Sequence, residues 1–370
     1  MSKIERVELC LVDLQPKVKR TDAIQCFSSQ ETPILTITDT DGAQGTGYSY
    51  TIGQGGSSVM RLLLDHLAPQ LIGIDAARIE SIWRDLKFSI HAITSGAISS
   101  LALAAIDTAL WDLRCKKAGL PLSVAAGGDK HSVGLYTTEG GWLHLSGEQL
   151  VDDVLQAKAA GFGGAKFKIG KPHVAEDLAR MAAVRAAVGD AWDIMVDANQ
   201  AFTVDEAIRR ARRLEPLDIA WLEEPLPAMD VGGHRRLARA TAIPIAVGES
   251  MYGIEHFRDY LQRDACSVVQ VDAARVGGIT PWLKVAHMAE GFNLPVCPHF
   301  LMELHISLVC AVPNGRWLEY IPQLDAMTTE GISIEAGQAY APTASGLGIA
   351  WDWEKIHAHR HNAHTAVVSK

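Results

Sequence analysis

Three acidic residues, evenly spaced in the middle of the chain, constrain its fold more than any other feature. Asp197, Glu223 and Glu249 lie 26 positions apart, and each closes a short apolar or β-branched run that is typical of a strand. Between two of these runs, residues 204–213 have the composition of a surface helix. The spacing therefore predicts repeated strand–helix units, each with a carboxylate at the end of its strand.

The same alternation continues on both sides of the three acids. Further strand-like runs cover residues 133–137, 164–169, 267–272, 294–299 and 316–319. Together with the first three they make eight strands separated by helical sequence, which predicts a (β/α)₈ barrel of the α/β class. Catalytic groups in such a barrel come from the C-terminal ends of the strands. We expect this barrel domain to span residues 128–325.

The first 127 residues follow a different order and predict a separate α+β domain. Strand-like runs near residues 4–14, 34–38 and 45–50 precede helical stretches that begin near residues 58, 76 and 96. Residues 326–370 contain glycine and proline turns, and we expect them to pack back toward this first domain. The histidine-rich stretch 356–364 predicts a frayed end, with metal binding as the alternative.

Composition excludes several classes of partner. The chain has 370 residues and a net charge of −9, and it lacks the basic patch that nucleic acids or anionic membranes require. The most apolar stretch, 97–113, carries Asp107 and Asp112 and is shorter than the roughly 20 residues of a membrane span. Six scattered cysteines predict reduced thiols and a cytoplasmic location. We expect a small-molecule substrate.

The acids and the preceding strand predict the chemistry of the site. Asp197, Glu223 and Glu249 offer only oxygen ligands, which favours Mg²⁺ over Zn²⁺. Lys166 and Lys168 alternate along their strand, so both amines should point to the barrel interior. An inward lysine meets either a substrate or a core carboxylate, and for Lys166 the second interpretation stays open.

Two later strands add a histidine and two more acids. His299 closes the seventh strand and Asp272 closes the sixth, so the carboxylate is expected to orient the imidazole for acid/base catalysis, although a structural histidine is the alternative. Glu319 ends the eighth strand. If it stays protonated it could donate to a substrate carboxylate, and otherwise it forms an ordinary salt bridge.

These groups together predict proton abstraction next to a carboxylate. Mg²⁺ and Lys166 would stabilise the resulting enediolate, because both act where negative charge develops. Two outcomes remain open. If two bases exchange a proton with one carbon, the reaction is racemisation or epimerisation; if one of them protonates a departing β-hydroxyl, it is dehydration.

Seven short motifs carry a resemblance that covers nearly the whole chain. They are Lys166-Phe-Lys168, Val196-Asp-Ala-Asn199, Trp221-Leu-Glu-Glu-Pro225, Gly248-Glu249, Gln270-Val-Asp272, Cys297-Pro-His299 and Trp317-Leu-Glu319. The set resembles the mandelate racemase subgroup of the enolase superfamily. The resemblance implies an N-terminal capping domain with two mobile loops, and a homo-oligomer of between two and eight subunits. It also implies that Lys168 and His299 are opposed acid/base groups, that Asp272 supports His299, and that Glu319 binds the substrate carboxylate.

The loops indicate which branch of that subgroup is most similar. Residues 137–144 and 298–305 resemble those of acid-sugar dehydratases that act on galactarate or talarate, which implies loss of water from an aldarate or aldonate. Residues 15–30 offer Phe27 as their one aromatic side chain, so a polyol is favoured over an aryl substrate. A racemase or epimerase is the first alternative, and an inactive binding protein on the same fold is the second.

Four residues are expected to bind the substrate directly. Asn199 belongs to one of the seven motifs. Lys17, Lys19 and Arg20 lie where a specificity loop would fall, and they could pair with the distal carboxylate of a diacid. The alternative for these three is a solvated charge cluster beside Pro16.

Overall fold

The computed structural model describes residues 2–93 and 96–369, with residues 362 and 363 described by their backbone alone. Its N-terminal part is an antiparallel sheet followed by helices, as the sequence predicts. The elements are β1 (Ile4–Leu14), β2 (Arg20–Thr21), β3 (Cys26–Phe27), β4 (Gln30–Asp39), β5 (Gln44–Tyr48), β6 (Thr51–Ile52), α1 (Gly56–Leu62), α2 (Ala68–Leu71), α3 (Ile79–Ser89), α4 (Ala97–Ala118) and α5 (Leu122–Ala125). A π-helical turn, Leu63–Leu67, joins α1 to α2.

The helix α4 packs closely on the sheet of this capping domain. Most of its length is buried, which explains why its sequence is apolar on nearly every face. Two glycines of β5 make the close approach possible, since a Cβ at Gly47 would lie 2.3 Å from the Ala105 carbonyl oxygen, and one at Gly45 2.2 Å from that of Ala109. The capping domain is thus a sheet with a tightly seated central helix.

The second part is the predicted barrel. Its strands are β7 (Ser132–Thr137), β8 (Gly164–Lys168), β9 (Asp193–Asp197), β10 (Ile219–Glu223), β11 (Ile245–Val247), β12 (Val268–Val269) and β13 (Trp317–Tyr320). Their helices are α6 (Gly147–Ala159), α7 (Val174–Val188), α8 (Val204–Leu214), α9 (Val231–Ala238), α10 (Ile254–Gln262), α11 (Ala273–Val276), α12 (Ile279–Gly291) and α13 (Met302–Ala311). Neighbouring strands pair in parallel from β7 to β12, and β13 pairs with β7.

One predicted strand is reduced to a single point of contact. In the run 294–299, Val296 alone forms bridges, to Val269 on one side and to Gly315 on the other, both parallel. These two bridges close the ring between β12 and β13. The predicted fold, a (β/α)₈ barrel with an N-terminal α+β domain, is confirmed, although Pro295 and Pro298 limit the ladder of this seventh strand because proline has no amide hydrogen.

The C-terminal segment divides between the two domains. The hairpin β14 (Ser333–Glu335) and β15 (Gln338–Tyr340) pairs antiparallel with β7 and so joins the barrel sheet. Helix α14 (Trp353–His359) leads into β16 (Arg360–Ser369), which pairs antiparallel with β1. The prediction of a frayed histidine-rich end was therefore wrong: the polar stretch leads into Ala366, Val367 and Val368, whose backbones complete the sheet of the capping domain.

The described helices leave no candidate for a membrane-spanning segment, since none of them is long and apolar enough to cross a bilayer.

Candidate metal and acid/base site

The three evenly spaced acids meet at the C-terminal mouth of the barrel. Asp197 and Glu223 end adjacent strands and pair in register, and Glu249 follows the next strand. Each offers one carboxylate oxygen, these oxygens lie within 4.8 Å of one another, and all three residues are buried. Glu249 Oε2 accepts no hydrogen bond from the described residues. A buried, oxygen-only donor set with an unused acceptor fits a hard dication such as Mg²⁺.

Lys166 and Lys168 point from β8 toward these carboxylates, as the alternation predicts. Lys166 Nζ lies 2.6 Å from Glu223 Oε1, and Lys168 Nζ lies 2.5 Å from Asp197 Oδ2. Burial alone would lower the pKa of both amines, but the surrounding carboxylates outweigh it and raise both pKa values above the usual lysine range. The two ammonium groups thus balance part of the negative charge of the triad.

His299 and Asp272 form the predicted pair. His299 Nδ1 lies 2.9 Å from Asp272 Oδ2, and both residues are buried. Burial would raise the pKa of Asp272, but the hydrogen bond from His299 prevails and lowers it. Burial would likewise lower the pKa of His299, whereas Glu249 and then Asp272 raise it. The imidazole is therefore oriented through Nδ1, with Nε2 left toward the triad.

Glu319 lies beside Lys166 in a network that favours the carboxylate form. Its Oε1 is 2.9 Å from Lys166 Nζ and accepts from Thr138 Oγ1 at 2.5 Å, and its Oε2 accepts from Phe300 N at 2.7 Å. Burial would raise its pKa, but Lys166 and His299 hold the pKa of this carboxyl well below its usual range. The arrangement agrees with the salt-bridge alternative for Glu319, and Lys166 beside it disfavours the protonated form.

A cavity of about 190 Å³ opens beside these groups, between the barrel mouth and the capping domain. The capping domain contributes lining residues from the β2–β3 hairpin and from β6: Asp22, Ile24, Gln25, Phe27 and Ile52. The barrel contributes the apolar Phe300 and Ile321 and mostly polar side chains besides: Thr138, Trp142, Lys166, Lys168, Asn199, Gln200, Glu224, Glu249, Ser250, Arg275, His299 and Glu319. The cavity thus joins Glu249 of the metal triad, both lysines and the histidine in one space.

Of the four predicted substrate-binding residues, Asn199 lines the cavity and the other three do not. Its backbone has a φ of 43°, and Asn199 Oδ1 is buried without a hydrogen-bond partner in the described chain. Lys17 pairs with Asp325 at the surface, and Lys19 is exposed. The placement of Lys17 and Lys19 agrees with the solvated-cluster alternative.

Arg20 is buried rather than solvated, and its guanidinium contacts several of the loops around the cavity. Its guanidinium lies 2.5 Å from Glu139 Oε1, donates to the Pro322 carbonyl oxygen, and lies over the rings of Phe27 and Trp142 at 5.9 and 5.8 Å. This geometry assigns Arg20 to the packing of the β2–β3 hairpin on the barrel, and it does not support direct contact with a substrate.

Sequence reasoning missed several residues of the site. Three of them, Gln200, Ser250 and Arg275, lie one to three positions after a predicted strand-end acid. Loops at the mouth of a barrel commonly carry functional residues, so these positions could have been predicted. Trp142, whose ring lies 5.7 Å from Lys168 Nζ, belongs to the loop 137–144, whose sequence indicates a resemblance but no role for this residue. Tyr50, whose hydroxyl lies 2.7 Å from Asp272 Oδ2, comes from the capping domain, and no spacing in the sequence connects it to the site.

Family models match both parts of the chain. Residues 6–127 match the N-terminal domain of the mandelate racemase / muconate lactonizing enzymes, and residues 149–355 match the enolase C-terminal domain-like family. The chain belongs to the enolase superfamily. Within it, the matches place the chain in the mandelate racemase and muconate lactonizing group, as the seven motifs indicate.

Similar proteins include acid-sugar dehydratases and a cycloisomerase. The chain is 36% identical over 353 residues to the L-talarate/galactarate dehydratase of Salmonella typhimurium, covering 94% of this chain and 88% of that protein. It is 34% identical over 356 residues to a 3,6-anhydro-α-L-galactonate cycloisomerase of Streptomyces coelicolor, covering 95% and 98%. Members of this superfamily with different reactions therefore resemble the chain to a similar degree.

Solved structures agree with the fold and with the metal. The Salmonella typhimurium dehydratase bound to Mg²⁺ and L-lyxarohydroxamate superposes with a TM-score of 0.94 at 34% identity, covering 100% of this chain and 95% of that one. The L-talarate dehydratase of Polaromonas sp. JS666, with Mg²⁺ and L-glucarate, gives 0.92 at 36% identity, covering 100% of each chain. The prediction of Mg²⁺ as cofactor is confirmed, and the Asp197, Glu223 and Glu249 triad is its site.

Proposed function

We propose that this enolase-superfamily member is a Mg²⁺-dependent dehydratase of an acid sugar, an aldarate or aldonate, and forms a 2-keto-3-deoxy acid. The observation that carries the proposal is the placement of two acid/base groups around one metal triad. Lys168 contacts Asp197 at one end of the triad, and His299 faces Glu249 at the other. A substrate on the metal would therefore meet one of these groups from each side.

Each residue has a defined task in this proposal. Bound Mg²⁺ supplies positive charge at the substrate carboxylate, which makes the neighbouring C–H bond more acidic. Lys166 Nζ, held by Glu223 and Glu319, adds a second positive charge where the carboxylate gains electrons. Lys168 Nζ takes the α-proton as its neutral amine, a form that Mg²⁺ on the triad would favour because the cation offsets the charge of Asp197 beside this lysine. His299 Nε2 then gives a proton to the departing β-hydroxyl, which leaves as water, and the resulting enol becomes the keto acid.

The lining of the cavity supports a hydroxylated substrate. Asp22, Gln25, Asn199, Gln200 and Ser250 offer donors and acceptors to a polyol chain. An aryl group would leave these polar side chains without partners, which is costly in a buried site. Mandelate-like substrates are therefore disfavoured, and the acid-sugar dehydratases among the relatives support the same choice.

Racemisation or epimerisation is the second candidate, because it uses the same two groups. A structure described as a racemase from Streptomyces coelicolor, with bound magnesium, superposes with a TM-score of 0.93 at 33% identity. In this case Lys168 and His299 would exchange protons with the same carbon and the β-hydroxyl would stay. An inactive binding protein is disfavoured, because the triad, both lysines and the dyad are all present.

A screen in D₂O separates these functions. The protein is incubated with Mg²⁺ and a set of aldarates and aldonates that includes galactarate and L-talarate. Keto acid is detected with semicarbazide, and α-deuteration is measured by NMR on the same samples. We expect keto acid from at least one acid sugar, and none from Lys168→Ala or His299→Asn. Deuteration without keto acid in the wild type would favour the racemase, and neither signal would overturn both enzyme proposals.

A further inference from the structure

Tyr50 brings a hydroxyl of the capping domain to the acid/base pair of the barrel. It lies between β5 and β6, is buried, and donates from its hydroxyl to Asp272 Oδ2 at 2.7 Å. Its ring packs against Phe300, with ring centroids 4.6 Å apart. The ring contact fixes where the hydroxyl lies, so this hydrogen bond joins two domains at the residue that orients His299.

Arg275 sets the direction of the Tyr50 hydrogen bond. Arg275 Nε lies 3.0 Å from the Tyr50 hydroxyl oxygen, and a guanidinium N–H is only a donor. The Tyr50 oxygen must therefore accept from Arg275, and its single proton is left for Asp272. Arg275 also donates to the carbonyl oxygen of Glu249 at 3.1 Å, which ties it to the loop that carries a metal ligand.

Asp272 consequently accepts four hydrogen bonds. Its Oδ1 accepts from the backbone amides of Ala274 and Arg275, and its Oδ2 accepts from Tyr50 and from His299 Nδ1. A carboxylate with both oxygens occupied in this way has one orientation, and it requires His299 to carry its proton on Nδ1. The other ring nitrogen, Nε2, is thereby fixed as the atom that exchanges a proton with the substrate.

The segment that follows Asp272 is anchored to the capping domain at two further points. Trp83 Nε1 donates to the Gly277 carbonyl oxygen at 2.9 Å, and the amide of Thr280 donates to Asp107 Oδ2 at 2.8 Å. Both are buried hydrogen bonds between the domains. Tyr50 extends this interface to the dyad itself, so the position of the imidazole depends on how the two domains dock.

We propose that Tyr50 is a positioning residue, which holds Asp272 and through it sets the tautomer and orientation of His299. The inference rests on the proposed function, since it assumes that His299 exchanges a substrate proton. It assigns to the capping domain a part in proton transfer, in addition to its contribution to the cavity lining. Lys168, on the opposite side, makes no hydrogen bond to this network in the described residues.

Replacement of the α-proton by deuterium, measured separately at the two faces of the α-carbon, tests the proposal. Galactarate and L-talarate are epimers at one carbon next to a carboxylate. In the epimer whose α-hydrogen faces Lys168, the lysine takes the proton and His299 releases the hydroxyl, as proposed above; in the other epimer the α-hydrogen faces His299, which would then be the base. The epimer whose exchange is lost in His299→Asn identifies the His299 side. The rate of α-proton exchange of each epimer, in D₂O with Mg²⁺, is then compared for wild type, Tyr50→Phe and Tyr48→Phe.

We expect Tyr50→Phe to slow His299-side exchange and dehydration by about tenfold or more, as loss of a hydrogen bond to a charged group does, while Lys168-side exchange stays within about twofold. Tyr48→Phe is the matched control, because its buried hydroxyl has no hydrogen-bond partner in the described residues. Equal loss on both sides, or no loss, would overturn the inference while wild-type turnover still supports the function. A wild type with no exchange and no turnover in the full screen would instead refute the function itself.

Discussion

His299 Nε2 lies 3.2 Å from Glu249 Oε2, a buried triad oxygen that accepts no hydrogen bond within the described residues. The imidazole and the metal triad are therefore direct neighbours. Positive charge on the metal and a proton on His299 are attracted to the same carboxylate, so binding of one opposes binding of the other. A substrate carboxylate that adds negative charge would relieve this competition.

The first prediction concerns the metal triad. Glu223→Gln keeps the shape of the side chain but removes the charge of the central carboxylate, so we expect Mg²⁺ affinity to fall by more than the roughly 10- to 100-fold that loss of an outer-shell partner causes. Calorimetric titration with MgCl₂ measures this loss. Asp205→Asn, whose side chain is 92% exposed, is the control and should leave Mg²⁺ binding unchanged. Equal affinity in the two variants would contradict the ligand assignment.

The second prediction separates two roles for Arg20. If its guanidinium holds the β2–β3 hairpin on the barrel, Arg20→Met should raise KM for aldarates and aldonates alike. Removing the buried partner of this ion pair should also lower the free energy of unfolding, by about 1–3 kcal/mol because Glu139 stays partly exposed to solvent. Steady-state kinetics and thermal melting provide both values.

The matched variant for this test is Arg20→Met combined with Glu139→Gln, which removes the unpaired carboxylate and should recover part of the stability. A rise in KM for diacids alone would instead restore the earlier suggestion that Arg20 binds a distal carboxylate.

The third prediction concerns the close packing of α4 on the sheet of the capping domain. Gly47→Ala would place its Cβ 2.3 Å from both the Ala105 carbonyl oxygen and the Ala109 amide nitrogen, so the helix must move. We expect a loss of about 1–3 kcal/mol or more in the free energy of unfolding, as overpacking causes. Gly147→Ala, where a Cβ meets nothing within 4 Å, is the control and should be neutral or stabilising. Equal melting temperatures would show that the helix contact is softer than the geometry indicates.

The fourth prediction is a pH dependence of stability that comes from Asp107. Burial raises the pKa of this carboxyl to about 7, while its backbone hydrogen bond from Thr280 lowers it by less. Between pH 4 and 7 the folded state then binds more protons than the unfolded chain, so the free energy of unfolding falls as the pH rises. The loss is fully developed above pH 7 and reaches about 4 kcal/mol.

Asp107→Asn tests this directly, because the amide keeps an acceptor for Thr280 and does not titrate. We expect the variant to gain stability relative to wild type between pH 5 and pH 8, as measured by urea unfolding at each pH. Glu303, whose pKa burial also raises to about 7, contributes a slope of the same sign in both proteins. The difference between variant and wild type therefore isolates Asp107, and a constant difference would refute the assignment.

The sequence predicted those parts of the site that depend on one strand at a time. Asp197, Glu223 and Lys168 end their strands, and parallel strands in a barrel bring such ends to the same face. The state of Glu319 was beyond this reasoning, because it depends on the distance to Lys166, which comes from another strand. Periodicity indicates the face on which a side chain lies, but it does not indicate which neighbour is closest.

Loops and the domain interface were the least predictable parts. Charge and position suggested that Arg20 meets a substrate, whereas its aromatic neighbours hold it inside the hairpin. Tyr50 and Asp272 are 222 positions apart in sequence, and only the docking of two domains brings them together. Histidines near the C-terminus suggested a loose end because their polarity concealed the apolar residues that follow.

The pairing of β16 with β1 also restricts the order in which the protein is assembled during synthesis. The sheet that starts at Ile4 gains its outer strand only when Arg360–Ser369 has left the ribosome, after every strand of the barrel. The domain encoded first is therefore completed last, and until then one edge of β1 presents unpaired backbone groups. Contacts of such wide sequence separation slow folding, so this edge of β1 stays open to other strands until β16 arrives.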